Sequence, residues 1–592
     1  MFSSPDRQPA SIEHGGVQPA AANRQRLVPW LFFAGILLAI FNLKLSFAVT
    51  LSGPWFLPDE VIYINQARHI SEKGVGAITI GVQPGWPLVL APLTTAFRDR
   101  PHLLYFLAVL LATSLGTMAC IPAFLLARRW LPANEAVAAA LVPAALPGMS
   151  TLGWAALTEP LFLLLMMLTA WRLVCAFQGG RLRDFLVSVV LAALCLAVHP
   201  FGLCCLLATI VGIGVWSVNR RRMLEASLTA TVAIVLVATP LWIRFHQTGV
   251  LSLTNYPGEA AELRSVLTSL TRTDGWVRLT TSLLYDANYL FVATFGVIFV
   301  LALFAGVRAV MRLGALAFDD RAVLASLMTL GFSTLMLSGL MRLIEVPEVM
   351  YGRYIEPLIS LLIISGAVVW NTIGQQRSAR YLIGTVVVLG TVAAWRLTPG
   401  EFTEANSGGY WYWQVLRQRI HPAAACSVPL LLWSAWALMP CRRTLALSLL
   451  IIFGLASTSL IALRIHQAND DLTDLRHEAQ AIAGAARNQL SVNTELWLDP
   501  RIGIGGEDSA LAADYLLWLL RYELPDVPID FSGEILLVRR NDLLLTFADF
   551  NSQVPIWRGN SLALYDFIPA SNESISGSTR SRHAAPPAAA NH

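Results

Sequence analysis

Apolar stretches long enough to cross a bilayer recur from Leu27 to Leu463, and they leave the chain few ways to fold. A hydrocarbon core offers no water to backbone amides, so each stretch must satisfy its own N–H and C=O groups, which a helix does. The composition agrees: of 592 residues, 55% are hydrophobic and 14% charged, a balance unlike that of a soluble domain. The expectation is a polytopic α-helical membrane protein. The net charge of +4 is small and the basic residues are scattered, which argues against nucleic acid as a partner and suits signals of membrane orientation. The seven cysteines lie in or beside apolar runs, so neither a disulfide framework nor a cysteine-based zinc site is implied in the polar C-terminal part.

Basic loops supply the threading. Residues 1–26 are polar and read as a disordered cytoplasmic tail. Leu27 to Leu51 is too long for a signal-peptide core and reads as an uncleaved anchor, with Arg24 and Arg26 on its cytoplasmic side. If the chain crosses about thirteen times, the loops "ARRW", "QGGRLRD", "NRRRM", "VRAVMR", "QQRSAR" and "CRR" all fall on the cytoplasmic side. The same count puts "PDE", "TEP", "HPFG" and "YGRYIEP" on the outer side, together with the C-terminal part. No internal repeat relates the two halves, which weakens a transporter reading. The expected domains are a transmembrane catalytic part over 27–463, an extracytoplasmic α/β domain over 464–570 and a disordered tail over 571–592. In the α/β part, "TELWLDP", "GEILLVRR", "DLLLTFADF" and "SLALYDFI" read as strands, with a helix from Ser509 to Tyr522.

Charged groups at membrane depth are costly, so where they stand is informative. In "FLPDEVIYINQARHI", Pro58 and the acids Asp59 and Glu60 make a well-started helix in their own right. Yet Asp59, Glu60, Glu159, His199, Arg353 and Tyr354 all sit at outer ends of spans, where they can line one cavity. Helical spacing puts Tyr63 on the same side as Asp59. A transporter would place such groups nearer the midplane. Other roles stay open. Glu159 beside Pro160 can cap its span, His199 before Pro200 can plug a helical turn, and Arg353 and Tyr354 can anchor a span at the interface. "IGIGGED" is a poor match to a phosphate loop, "GGYWYWQ" suits an interfacial aromatic belt, and no histidine spacing suggests zinc.

Taken in order, "DEVIY", "GVQPGWPLVLAP", "TEPLFLLLMML" and "YGRYIEPLI" resemble the GT-C superfamily of integral-membrane glycosyltransferases. The resemblance is greatest to the protein O-mannosyltransferases and to the lipid A aminoarabinose or galacturonic acid transferases. It covers the membrane part and implies a GT-C fold. It also implies a catalytic base at Asp59, beside Glu60, a supporting acid at Glu159, and a lipid-phosphate contact at Arg353 and Tyr354. Tyr63 and His199 are then candidate substrate contacts. The chain departs from the pattern at Gln83, where several members carry Lys or His, so a phosphate contact there is in doubt.

The implied reaction is inverting transfer of a sugar from a polyprenyl-phosphate donor to a periplasmic acceptor: a glycolipid, a polysaccharide or a protein. The expected setting is a bacterial cytoplasmic membrane. A single carboxylate base suffices, because the phosphate already leaves readily. No cofactor is implied with certainty, and a divalent cation, Mg2+ or Mn2+, stays open. The rivals are an O-antigen ligase or polymerase type of enzyme, which would depend on Arg and His in a large late loop, and a lipid or solute transporter.

Overall fold

The computed structural model describes residues 19–51, 53–55, 59–74, 83–98, 100–248, 259–312, 316–341, 352–396, 421–438, 443–487, 496–498, 516–524, 529–531, 543–547, 557–558 and 562–566. Leu343, Trp413, Arg417 and Val527 are described as single positions. "IGIGGED", "GEILLVRR" and the expected C-terminal tail lie outside the described residues, as does all of "GGYWYWQ" but Trp413. The chain divides into two compact units, Met1–Thr473 and Asp474–His592.

The first unit is helical. Its elements are α1 (Pro19–Ala48), α2 (Asp59–Lys73), α3 (Gly85–Ala96), α4 (Pro101–Met118), α5 (Cys120–Ala127), α6 (Ala133–Ala145), α7 (Pro147–Gly153), α8 (Glu159–Gly179) and α9 (Leu182–Val198). They continue with α10 (Gly202–Arg220), α11 (Met223–Thr248), α12 (Glu259–Leu270), α13 (Thr273–Ala293), α14 (Val297–Met311), α15 (Phe318–Met341), α16 (Pro357–Gly374) and α17 (Arg377–Arg396). The helices Pro422–Leu438 and Arg443–Arg487 follow, and a 3-10 turn, Gly352–Tyr354, leads into α16. Proline opens α4, α7 and α16, where its missing N–H costs nothing because first-turn amides have no partner within the helix. Because α1 starts at Pro19, residues 19–26, expected to be disordered, are helical.

The count of about thirteen spans is not confirmed. Among the described residues, six helices are long and apolar enough to cross a membrane, or eight if each of two bent pairs counts as one span. Shorter apolar helices include Gly202–Val218 and Pro357–Trp370. One bent pair is α6 and α7, which meet at 60°. There Leu146 is extended before Pro147, as the residue before a proline tends to be. The other pair, α13 and α14, meets at 118°. It turns through Phe295 and Gly296, both at positive φ, and a Cβ on Gly296 would press on the Phe291 ring and Pro429. Helix α8 packs on α9, α9 on α10, α10 on α15, and α14 on α16. Leu31, Phe32, Leu389 and Ile452 are exposed, as suits side chains that face lipid.

In the second unit, a five-stranded sheet has the order β2-β1-β3-β5-β4. Its strands are β1 (Leu496–Leu498), β2 (Ile529–Phe531), β3 (Leu543–Phe547), β4 (Trp557–Arg558) and β5 (Leu562–Asp566). β1 pairs in parallel with β2 and β3, whereas β5 runs antiparallel to β3 and β4. Helical residues 516–523 bury Leu516, Leu517, Leu519 and Leu520. Arg521 donates to the Ile529 carbonyl at 2.9 Å, tying this helix to the start of β2.

Candidate active site

Three distant segments meet at Arg353. Asp59 opens α2, Glu159 opens α8, and Arg353 stands on the 3-10 turn before α16. The Arg353 Nη1 donates to Asp59 Oδ2 at 2.5 Å, and its Nε lies 3.7 Å from Glu159 Oε1. Nη2 donates to the Tyr354 hydroxyl at 3.0 Å. The side chain of Asp59 is 25% exposed, against 3% for Glu159. Of the two acids, Asp59 is therefore the one a substrate can reach.

The loop before Glu159 is held by tryptophans. Trp55 Nε1 donates to Trp154 O at 2.9 Å, Trp86 Nε1 to Ala156 O at 2.8 Å, and Trp154 Nε1 to Lys44 O at 3.0 Å. Buried backbone carbonyls need such partners. These indoles satisfy them with large side chains that are themselves buried. Thr158 then donates to Glu159 Oε2 at 3.2 Å.

Glu60 is hydrogen-bonded into this scaffold. It is fully buried, and both of its oxygens accept hydrogen bonds. Oε2 takes the Trp55 N–H at 2.9 Å, while Oε1 takes the Tyr105 hydroxyl at 3.0 Å and the Ala156 N–H at 2.7 Å. Neighbours on a helix point about 100° apart, so Glu60 faces inward while Asp59 turns toward Arg353. These contacts argue for a structural role of Glu60 where a catalytic one was expected.

Tyr63 lies one turn along α2 from Asp59. Burial, with Asp59 and Glu159 beside it, pushes its phenol well above the usual tyrosine range, so it stays a neutral hydrogen-bonding group. His199 Nε2 lies 4.0 Å from Glu159 Oε1. Burial, assisted by Arg353, pushes its pKa down to about 3, which makes this approach a contact with a neutral imidazole and not an ion pair. The Phe201 N–H donates to His199 Nδ1 at 3.3 Å, which leaves the proton on Nε2, toward Glu159. The ring stacks on Phe162 at 5.0 Å, and Tyr354 stacks on Phe201 at 5.2 Å. Burial works against the Arg353 charge, but Tyr354, Asp59 and Glu159 outweigh it and hold the guanidinium well above the ordinary arginine value.

Gln83 stands apart from this arrangement. It is buried, and its Nε2 has no hydrogen-bond partner among the described residues. It precedes α3, whose Gly85 packs against the backbone of Ala197 and Val198. Two residues not singled out in the sequence complete the site's support. Glu356 ends the turn and accepts the Tyr289 hydroxyl; "YGRYIEP" contains Glu356, but nothing local pointed to Tyr289. Among the described residues no three His, Cys, Asp or Glu side chains form a metal-binding group. The space between Asp59 and Glu159 is filled by the Arg353 guanidinium, so the residues present do not fit a divalent cation.

The comparisons bear on the membrane part and on the whole fold. The family described as "Dolichyl-phosphate-mannose-protein mannosyltransferase" matches residues 84–243. No curated protein matches the chain with significance. The crystal structure of ArnT from Cupriavidus metallidurans bound to undecaprenyl phosphate superposes with a TM-score of 0.53 at 13% identity, covering 90% of this chain and 97% of that one. The apo state of the same protein gives 0.49 at 14% identity, covering 92% and 98%. The archaeal oligosaccharyltransferase AglB from Archaeoglobus fulgidus gives 0.42 at 13%, covering 83% and 64%. The fold resemblance rests on the first of these. The chain thus shares the fold of that ArnT structure, and residues 84–243 match the family model.

Proposed function

We propose that the chain transfers a sugar from a polyprenyl-phosphate donor to an acceptor hydroxyl, with inversion at the anomeric carbon. The observation that carries this reading is the contact between Asp59 and Arg353, which puts a carboxylate base and a phosphate-binding cation side by side. In the reaction, Asp59 takes the acceptor's O–H proton as that oxygen bonds to the anomeric carbon. The bond from this carbon to the phosphate oxygen breaks on the opposite face, and polyprenyl phosphate leaves with the bonding electron pair. Arg353 and the Tyr354 hydroxyl receive the charge that develops on the phosphate. The donor must therefore share or replace Asp59 as the partner of the guanidinium. Glu159, buried behind Arg353, orients it, while Tyr63 and His199 stay neutral and offer hydrogen bonds to substrate. One base opposite one leaving group supports inversion, in contrast to the paired carboxylates of glycosidases.

The lipid donor is supported by the family description, which names dolichyl-phosphate-mannose, and by the fold shared with ArnT, whose structure holds undecaprenyl phosphate. With about thirteen crossings, the basic loops support an active site on the outer face, a membrane-embedded catalytic part over 27–463 and an extracytoplasmic part over 464–570; a bacterial cytoplasmic membrane follows only from the habit of the family it resembles. The acceptor class is a glycolipid, a polysaccharide or a protein. The test is reconstitution of the purified chain with polyprenyl-phosphate sugars and envelope acceptors. Formation of a glycosidic bond that depends on Asp59 supports the reading, and movement of substrate across the bilayer without a new bond would replace it with transport.

A further inference from the structure

We infer that Tyr289 and Glu356 form a positioning pair that sets the place of the Arg353 guanidinium. The inference rests on the donor reading given above. The 3-10 turn is closed by Gly352 O, which accepts the N–H groups of both Ile355 and Glu356 at 3.0 Å. Both ends of this turn rest on one tyrosine. At its start, Gly352 lies against the Tyr289 ring, with no room there for a Cβ. At its end, Glu356 is buried and accepts the Tyr289 hydroxyl through Oε1. Gly148, in the first turn of α7, packs on the Glu356 carboxylate and likewise leaves no room for a Cβ.

Arg353 and Tyr354 lie between these two fixed points, and the turn projects them toward Asp59, Glu159 and Phe201. The groups that reinforce the Arg353 charge are Tyr354, Asp59 and Glu159. Glu356 touches the far side of the turn through Tyr289 and Gly148, so the effect proposed here runs through geometry. A two-pronged guanidinium–phosphate contact tolerates displacement of only about 0.5 Å. Among the described residues, α13 supports the turn from 67 residues away along the chain at this contact.

The test is a double-mutant cycle, read by binding of undecaprenyl phosphate to the purified full chain in nanodiscs. Tyr289→Phe removes the hydroxyl and keeps the ring. It should weaken the Kd by about tenfold when Arg353 is present. In an Arg353→Ala background, titrated to about a hundred times the parent Kd, it should change the Kd by less than about twofold. Glu356→Gln keeps an acceptor for the Tyr289 hydroxyl and should stay within about threefold of the parent, whereas Glu356→Ala should match Tyr289→Phe. Should Tyr289→Phe not yield folded protein, the Glu356 pair of variants reads the same coupling. An equal loss in both backgrounds, or a loss as large for Gln as for Ala, would overturn the positioning role and leave the donor reading standing. Failure of the unsubstituted chain to bind undecaprenyl phosphate would overturn the donor reading and this inference together.

Discussion

Glu60→Gln separates scaffold from chemistry at the start of α2. The carboxylate accepts from Trp55, Tyr105 and Ala156 at 2.9, 3.0 and 2.7 Å, and all three donors are buried. Glutamine has one acceptor oxygen. If it takes the place of Oε1, the amide nitrogen faces the Trp55 N–H, donor against donor. One charge-assisted hydrogen bond is then lost, worth about 1.5–3 kcal/mol, and a buried N–H is left unsatisfied at about 1–3 kcal/mol. Allowing for overlap between these two figures, the cost is at least about 2 kcal/mol. For a cooperative unit of about 150–250 residues that is a fall of roughly 4–8 °C in Tm. The assay is thermal melting of the detergent-purified chain by size-exclusion chromatography, with activity normalised to folded protein. The variant should melt early, and its remaining folded fraction should keep most of its kcat. A variant that melts like the parent but loses kcat by about a hundredfold would refute the scaffold assignment and return Glu60 to the reaction.

Three further outcomes follow from the site. Arg353→Lys should impair donor use in part and Arg353→Ala severely, because a lysine cannot reproduce the two-pronged contact with phosphate; normal donor kinetics in the alanine variant would reduce Arg353 to an anchor. His199 has a folded pKa of about 3 against 6.5 for the free side chain, so the unfolded chain binds the extra proton and the stability present above pH 6.5 is lost as the pH falls toward 3. That is about 1.4 kcal/mol by pH 5.5, and the Tm of the parent should fall more steeply with acid than that of His199→Gln; parallel profiles would contradict it. Single cysteines placed at Lys73 and Arg129, in a background without native cysteines, should label from opposite sides of the membrane, Lys73 from outside and Arg129 from the cytoplasm. Labelling of both from one side would overturn the orientation.

What the sequence could reveal follows from the range of each signal. Apolar runs are local, so the helical class was legible from composition, whereas Asp59 was named through the family resemblance, since its local setting reads equally well as a helix start. Which of two adjacent acids faces Arg353 was not legible. That depends on where Trp55, Tyr105 and Ala156 come to rest, and two of these are distant in sequence. The span count was hard to read for a related reason. A bend of 118° between α13 and α14 needs Phe295 and Gly296 at positive φ, and one glycine in an apolar run does not announce this. Arg353 was named as a candidate because "YGRYIEP" carried a family resemblance. Tyr289 was not, because its partnership with Glu356 exists only once α13 is folded against the turn. Gln83, read as a departure from the family pattern, is buried without a partner for its Nε2, and its sequence context gave no means to foresee this.

The most direct test of the central claim is the rate of sugar transfer by Asp59→Asn. The amide keeps the size of the side chain and can still hydrogen-bond, but it cannot take the acceptor's proton. Asp59 is partly exposed where it pairs with Arg353, so the variant should fold and bind undecaprenyl phosphate. General-base catalysis is worth about 10²–10⁴ in rate, or roughly 3–5 kcal/mol of barrier. Single-turnover transfer from a saturating polyprenyl-phosphate sugar, measured on folded protein, should therefore fall by at least about a hundredfold. A folded, donor-binding Asp59→Asn chain that transfers sugar at close to the parent rate would contradict the account.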